Sequence, residues 1–101
     1  MPTRHVAADV SDVPAGQGRA LEVAGRPIAL FNVEGRFFAM DNACPHRGGP
    51  LGDGMVMGTT VTCPWHGWQF DCTNGKSMRN PAVGVACIPT SVEGSTVYVE
   101  F

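Results

Sequence analysis

The chain has 101 residues, enough for one domain with a modest hydrophobic core. Its 13 glycines and 8 prolines exceed average usage, which favours a turn-rich, all-β protein over a helical one. The formal net charge of -2 argues against nucleic-acid binding, which calls for a basic face.

The first 41 residues alternate between short apolar runs and turn residues, a pattern that predicts antiparallel strands. The first strand is expected over residues 3–8, with Val6 pointing inwards. A polar connection follows, in which Val10 and Val13 turn towards the core. Three further strands are expected at 19–23, 27–33 and 36–41. Glycine-containing turns at 24–26 and 34–35 join them, because glycine accepts the positive φ of tight hairpins.

Residues 42–81 are predicted to form a small lobe inserted into this antiparallel base, which comprises 1–41 and 82–101 of a single domain, 1–101. Within the lobe we expect a strand pair over 55–62 with a turn near Gly58, a strand over 68–72 and a turn at 73–75. The base resumes with strands at 85–89 and 96–101. The apolar lobe residues expected in the core are Met55, Met57, Trp68 and Phe70.

Two short segments of the lobe carry metal-ligand chemistry. Cys44-Pro45-His46 and Cys63-Pro64-Trp65-His66 each offer one thiolate and one imidazole, and they lie 16 residues apart in a setting rich in glycine and proline. A 2Fe-2S centre with mixed ligation needs two Cys on one iron and two His on the other. Two loops that each supply one ligand to each iron meet that need.

The main rival is a structural zinc site, which also favours two Cys and two His. Paired zinc ligands are usually separated by two to five intervening residues. The single residue between Cys44 and His46 is short for chelating one tetrahedral ion, whereas such a pair can span two adjacent irons. The spacing therefore favours an iron–sulfur centre.

Over residues 42–71 the sequence resembles the Rieske 2Fe-2S proteins, whose motif is Cys-x-His, a spacer and Cys-x-x-His. The resemblance implies a Rieske-like all-β fold and one 2Fe-2S cluster held by Cys44, His46, Cys63 and His66. It also implies that backbone N–H groups of residues 47–49 and 67–68 (Arg47, Gly48, Gly49, Gly67 and Trp68) donate to the sulfurs. Leu51 and Trp65 would then shield the cluster from water. Pro81 is either part of a third loop that covers the cluster or a plain loop proline.

The resemblance further implies a low reduction potential. High-potential Rieske proteins carry an extra cysteine in each loop and a serine that donates to the sulfurs, and those positions are Gly49, Trp65 and Trp68 here. Without these features we predict the low-potential ferredoxin type. The remaining cysteines, Cys72 and Cys87, are expected to be free and buried rather than bridged.

Nothing in the sequence supplies a second cofactor site: no Gly-x-Gly-x-x-Gly fingerprint follows a strand, and two of the three histidines are cluster ligands. The chain is therefore expected to carry electrons rather than to catalyse a reaction. The resemblance implies a flavin-containing reductase as donor and a terminal, ring-hydroxylating oxygenase as acceptor. Docking is expected at the cluster tip, formed by Pro45, His46, Arg47, Pro50, Trp65, His66 and Pro81. The alternative is the small subunit of a nitrite reductase.

The sequence contains no signal-peptide pattern and no run of about 20 apolar residues such as a membrane span requires. A cytoplasmic location is therefore expected.

Overall fold

The computed structural model describes residues 3–43, 49–65, 67–80 and 82–101. They form ten strands, which are β1 Arg4–Asp9, β2 Gln17–Val23, β3 Arg26–Val33, β4 Arg36–Asp41, β5 Met55–Met57, β6 Thr60–Thr62, β7 Gln69–Asp71, β8 Cys87–Ile88, β9 Thr90–Glu93 and β10 Thr96–Glu100. Helical structure in these ranges is confined to single 3₁₀ turns at Val10–Asp12 and Leu51–Asp53. In the same ranges no helix has the length and apolarity to cross a membrane. The prediction of an all-β chain is confirmed.

The strands form three antiparallel sheets. The first sheet has the order β1-β10-β9, the second β2-β3-β4-β8 and the third β5-β6-β7. All strands of the third sheet lie within 42–81, and all strands of the other two lie outside that range. On this basis we propose the division into a base and an inserted lobe.

The two tight turns of the second sheet have the geometry that the sequence predicted. Ala24 and Gly25 have φ values of 50° and 80°, and Glu34 and Gly35 have values of 53° and 87°. Two consecutive positive φ values define the turn whose twist matches that of paired strands. The buried Asn32 secures the second turn, because its Oδ1 accepts from the Gly35 N–H at 2.8 Å.

Strand β3 lies between two hydrophobic clusters and is buried on both faces. Ile28 and Leu30 pack in one cluster with valines of the first sheet, while Ala29 and Phe31 pack in the other. The second cluster also holds Leu51, Val61, Cys63, Phe70 and Cys72. The period of two in a strand sends neighbouring side chains to opposite faces, so a continuous apolar run is what a strand between two layers requires. Strand β3 thus packs against both the first sheet of the base and the cluster that contains Cys63.

Several expectations about exposure are wrong. Val6 does not point inwards, being 64% exposed on the outer face of β1, and Met55 and Met57 are 68% and 72% exposed rather than in the core. On the three-residue β5 only one side can face inwards, and Val56 occupies it, packed against the second cluster. Phe70 is fully buried, as expected.

The return to the base also differs from the prediction. The single strand expected at 85–89 is instead β8, only two residues long, followed after Pro89 by β9. Strand β8 pairs with β4 and β9 pairs with β10, so the chain changes sheets at Pro89. Proline lacks the N–H needed to continue a ladder, which explains the break. Val13 is fully buried and Val10 packs beside it, as predicted.

Candidate metal centre

The first ligand loop, residues 43–50, is closed at its base by an antiparallel bridge between Ala43 and Pro50. The Asn42 side chain strengthens this closure, since its Oδ1 accepts from the Gly52 N–H at 2.7 Å. The 3₁₀ turn that follows is held by the Gly54 N–H, which donates to the Leu51 carbonyl at 3.0 Å. The two ends of the loop are therefore fixed to each other.

Gly52 places this segment directly on the base. A Cβ built at Gly52 would lie 2.5 Å from the backbone nitrogen of Ala20 and 2.6 Å from its Cα, in β2. Real Cβ contacts of that length essentially do not occur, so only glycine permits the approach. The sequence pattern did not identify this role, because the partner is more than thirty residues away in the chain.

The second ligand loop, residues 63–68, begins at the one predicted ligand that the structure describes. The Cys63 N–H donates to the Trp68 carbonyl at 2.7 Å, and its own carbonyl accepts from the Gly67 N–H at 3.1 Å. Gly67 adopts a φ of 73°, which favours glycine. The Gly67 N–H was expected to donate to a sulfur of the cluster, but it donates to the Cys63 carbonyl instead. Cys63 is thus held by backbone bonds, and it is 2% exposed.

The two loops meet at Gly49 and Cys63. Gly49 is buried, and a Cβ at this position would lie 2.7 Å from the Cys63 Sγ. The same Cβ would lie 3.2 Å from ring atoms Cγ and Cδ2 of Trp65. The sulfur of the second loop is therefore directly against the backbone of the first. A buried thiol beside a bare backbone segment fits a thiolate-bound metal cluster.

Apolar side chains surround this meeting point unequally. Leu51 is fully buried in the cluster that also contains Cys63, and Trp68 packs partly buried against it. Trp65 is 56% exposed, so it covers Gly49 with one part of its ring and presents the rest to solvent. Leu51 and Trp68 thus lie on the buried side of the site, and Trp65 lies at its solvent-exposed edge.

A third loop, residues 77–83, lies beside the second. The Ser77 hydroxyl is buried and accepts from the backbone N–H groups of Arg79 and Asn80 at 3.2 Å and 3.4 Å. The Met78 N–H donates to the Gln69 carbonyl at 2.9 Å, which joins this loop to β7. A cleft of about 220 Å³ separates it from Gly67–Gln69. Serine hydroxyls commonly accept from N–H groups two or three residues ahead, a local signal that the sequence interpretation missed.

Several predicted site residues lie outside the described ranges. They are Cys44, Pro45, His46, Arg47, Gly48, His66 and Pro81. Within the described ranges no three Cys, His, Asp or Glu side chains gather as a metal site, and Cys63 is the only one of the four expected ligands among them. The four-residue ligand set therefore stays a prediction.

The two other cysteines carry no disulfide in the described structure, as expected. Cys72 is buried at 1% exposure, and this burial, together with the nearby Asp71 carboxylate, raises the pKa of its thiol to about 12. Cys87 is exposed, which contradicts the expected burial, although partial desolvation and Asp71 also raise its pKa. Neither thiol takes part in the contact between the two ligand loops.

The chain belongs to the Rieske [2Fe-2S] domain family, whose model matches residues 3–90. Its cofactor is therefore a Rieske-type 2Fe-2S cluster, as the motif predicted. The chain is 34% identical, over 95 residues, to the ferredoxin component of the naphthalene 1,2-dioxygenase/salicylate 5-hydroxylase systems of a Ralstonia species. That match covers 93% of this chain and 91% of the relative.

Solved structures share the fold over nearly the whole chain. A Sphingomonas yanoikuyae B1 ferredoxin matches with a TM-score of 0.88 and 29% identity, covering 98% of this chain and 99% of its own. A chain in the complex of reduced oxygenase and oxidized ferredoxin in carbazole 1,9a-dioxygenase matches with a TM-score of 0.85 and 28% identity, covering 95% and 91%. A nitrite reductase small subunit from Mycobacterium tuberculosis, described as putative and NADH-dependent, matches with a TM-score of 0.91 at 23% identity, covering 100% and 96%. That last match shows the fold alone.

Proposed function

We propose that this chain is a one-electron carrier that receives electrons from a flavin-containing reductase and passes them to a terminal ring-hydroxylating oxygenase. The observation that carries the proposal is the contact between the two ligand loops, where the buried Cys63 Sγ lies against Gly49. The names of the relatives, ferredoxin components of dioxygenase systems, support the same role. The bound cluster supplies reversible one-electron chemistry.

The residues proposed to hold the cluster are Cys44 and Cys63 through sulfur and His46 and His66 through nitrogen. The chain itself orients the Cys63 sulfur through the two backbone hydrogen bonds of the second loop. Leu51 and Trp68 exclude water from below. This environment suits an electron carrier, because a held ligand set needs little rearrangement when its charge changes.

Docking of both partners is proposed at the tip formed by the three loops. Trp65 on the second loop and Met78 on the third are each 56% exposed and would contribute apolar area to this surface. Pro50, Pro45, His46, Arg47, His66 and Pro81 would complete this surface. Contacts of a shuttle are expected to be small and short-lived, as in other electron-transfer encounters.

The second candidate is the small subunit of a nitrite reductase-type complex. The fold match to such a subunit is high, but at 23% identity it extends to the fold only. Sequence identity is 34% to a ferredoxin component of dioxygenase systems and 28% to the matching chain of the carbazole 1,9a-dioxygenase complex, which favours the shuttle. Purification distinguishes the two candidate functions, because a shuttle is isolated as a free carrier and a subunit is isolated in a stable complex.

The first experiment is an absorption and electron paramagnetic resonance measurement on the purified chain, with iron, sulfide and zinc quantified together. We expect a red-brown protein with two irons and two sulfides per chain, the composition of one cluster, and a signal that appears on one-electron reduction. A colourless protein that contains zinc would contradict the proposal.

The cytoplasmic location stays a prediction.

The second experiment measures the midpoint potential by voltammetry. Rieske centres span about -150 to +300 mV, and we expect a value in the lower part of this range because the extra cysteines and the serine are missing. A midpoint well above zero would contradict the low-potential assignment while leaving the cluster itself intact.

A further inference from the structure

The contact between Trp65 and Gly49 is unusual because it joins an exposed aromatic ring to a buried glycine. Gly49 has no side chain to shield its backbone, yet it is buried. The atoms nearest to a Cβ placed at this position are the Cys63 Sγ and two ring atoms of Trp65. The ring therefore covers the place where the first loop passes over the sulfur.

Glycine is needed for this arrangement. A Cβ at position 49 would lie 2.7 Å from the Cys63 sulfur and 3.2 Å from the ring. The first distance is shorter than real contacts allow, so any larger residue would push the sulfur or the loop away. The flat ring and the bare backbone are complementary in shape, and such apolar packing excludes water.

We propose that Trp65 is a positioning residue that holds the two ligand loops together and closes the route by which water and reagents reach the Cys63 sulfur. The link is non-covalent and depends on a flat ring at position 65 and on glycine at position 49. The role in holding a cluster rests on the proposed function. The protection of Cys63 is argued from the contact between Trp65 and Gly49 and is tested separately.

The test compares Trp65→Ala and Trp65→Phe with the wild-type chain, all purified with their native metal content. Each is treated with iodoacetamide, and labelling of Cys63 is followed by mass spectrometry of its peptide. The exposed Cys87 in the same chain serves as the internal standard. Met57→Ala is the matched control, because Met57 is also an exposed apolar side chain, at 72%, and lies at the opposite end of β6 from Cys63.

We expect Trp65→Ala to label Cys63 at least about fivefold faster relative to Cys87, since losing the covering ring raises the population of the open loop. Trp65→Phe keeps a flat ring and should stay within about twofold of wild type, as should Met57→Ala. Equal labelling of Cys63 in Trp65→Ala and wild type would overturn the proposal. If Trp65→Ala does not fold, Trp65→Leu replaces it, and protection by leucine equal to that by phenylalanine would overturn the need for a ring.

A second readout separates positioning from general stability. Trp65→Ala should shift the resonance spectrum of the reduced protein and its midpoint potential, because the ligand loops are no longer held at one separation. Met57→Ala should leave both unchanged. A Trp65→Ala protein with faster Cys63 labelling but a wild-type spectrum and potential would limit Trp65 to a shield and overturn its positioning role. If the chain proves to hold zinc, the proposed function fails, but the labelling of Cys63 still tests whether Trp65 covers it. A failure of the proposed function and a failure of this inference are therefore distinguishable.

Discussion

Three cysteines in this chain show how the surroundings of one residue type decide its chemistry. Cys63 is buried where two loops meet, Cys72 is buried in the hydrophobic cluster and Cys87 is exposed on a two-residue strand. A thiol reacts or binds metal as thiolate, so apolar burial keeps Cys72 inert. Cys63 differs because it is buried against the loop that carries further ligands predicted from the sequence.

Replacement of Cys63 by serine should abolish cluster binding. Loss of a predicted thiolate ligand is expected to lower the iron content of the purified protein at least about tenfold, since even outer-shell changes cost 10–100-fold in metal affinity. The visible absorption and the metal content measure this. Cys87→Ser is the matched control and should remain red-brown. A Cys63→Ser protein with full iron content would remove Cys63 from the ligand set.

The raised pKa of Cys72 predicts a loss of stability in alkali. Its thiol has a pKa of about 12 in the folded chain against an ordinary 9.0, so the folded state favours the protonated form. This contribution is fully present below pH 9 and is lost as the pH rises through the folded pKa. Between these values the free energy of unfolding should fall by up to about 1.4 kcal/mol per pH unit.

Urea titrations from pH 8 to pH 11 measure this slope. Cys72→Ala should be less stable near neutrality by roughly 1 kcal/mol, because a small cavity is left. Its alkaline slope should nevertheless be shallower than that of wild type, whereas Cys87→Ser should keep most of the slope. Parallel curves for wild type and Cys72→Ala would show that the thiol of Cys72 does not titrate differently on unfolding.

At the scale of elements, the position of the first ligand loop depends on strand β2. The 3₁₀ turn after that loop rests on Ala20 through the bare backbone of Gly52. The bridge at Ala43 and Pro50 then carries this placement to the loop itself. The base sheet therefore sets the position of the loop through a close backbone-to-backbone approach at Gly52.

Gly52→Ala should accordingly destabilise the protein more than an ordinary glycine substitution. The added Cβ meets backbone atoms, which cannot rotate away, so we expect a loss of about 2–3 kcal/mol. Gly58→Ala is the control: its φ is 60°, but the space around it is open, and a cost of about 1 kcal/mol is expected. Urea denaturation measures both, and equal losses would argue against the close approach.

At the scale of the whole molecule, three of the exposed apolar residues differ in their distance from the ligand loops. Trp65 and Met78 lie on the second and third loops, while Met57 lies beside the turn at Gly58, at the far end of the third sheet. Because proximity to the cluster matters for electron transfer, we expect the partners to dock on Trp65 and Met78 rather than on Met57.

Met78→Asp should slow electron transfer to a terminal oxygenase by about tenfold, because a charge would be desolvated at the centre of the contact. Met57→Asp adds the same charge and should have little effect. The rate is measured as the second-order constant for oxidation of the reduced carrier. Equal effects of the two substitutions would indicate that net charge, rather than the tip, controls the encounter.

Much of the base was predictable because its signals are local. Glycine after a small or charged residue predicted the turns at 24–26 and 34–35, and the apolar run of β3 predicted its burial. Val6, Met55 and Met57 were misplaced because short strands contain too few residues to reveal which face is inward. Gly52 acquires its role from a contact that is distant in sequence and that no local pattern records, whereas the Ser77 turn has a local signal that the sequence interpretation missed. The ligand motif was recognisable from spacing alone, and of its four residues Cys63 is described in a site that suits it.

The alternation along β3 offers a way to engineer the protein. Ile28 and Leu30 face the first sheet, whereas Ala29 and Phe31 share a cluster with Cys63. Substitutions at Ile28 and Leu30 would therefore alter the packing against the first sheet, whereas substitutions at Ala29 and Phe31 would alter the packing around Cys63. A designer who respects that parity would be able to vary the two sets in separate libraries on one eight-residue strand.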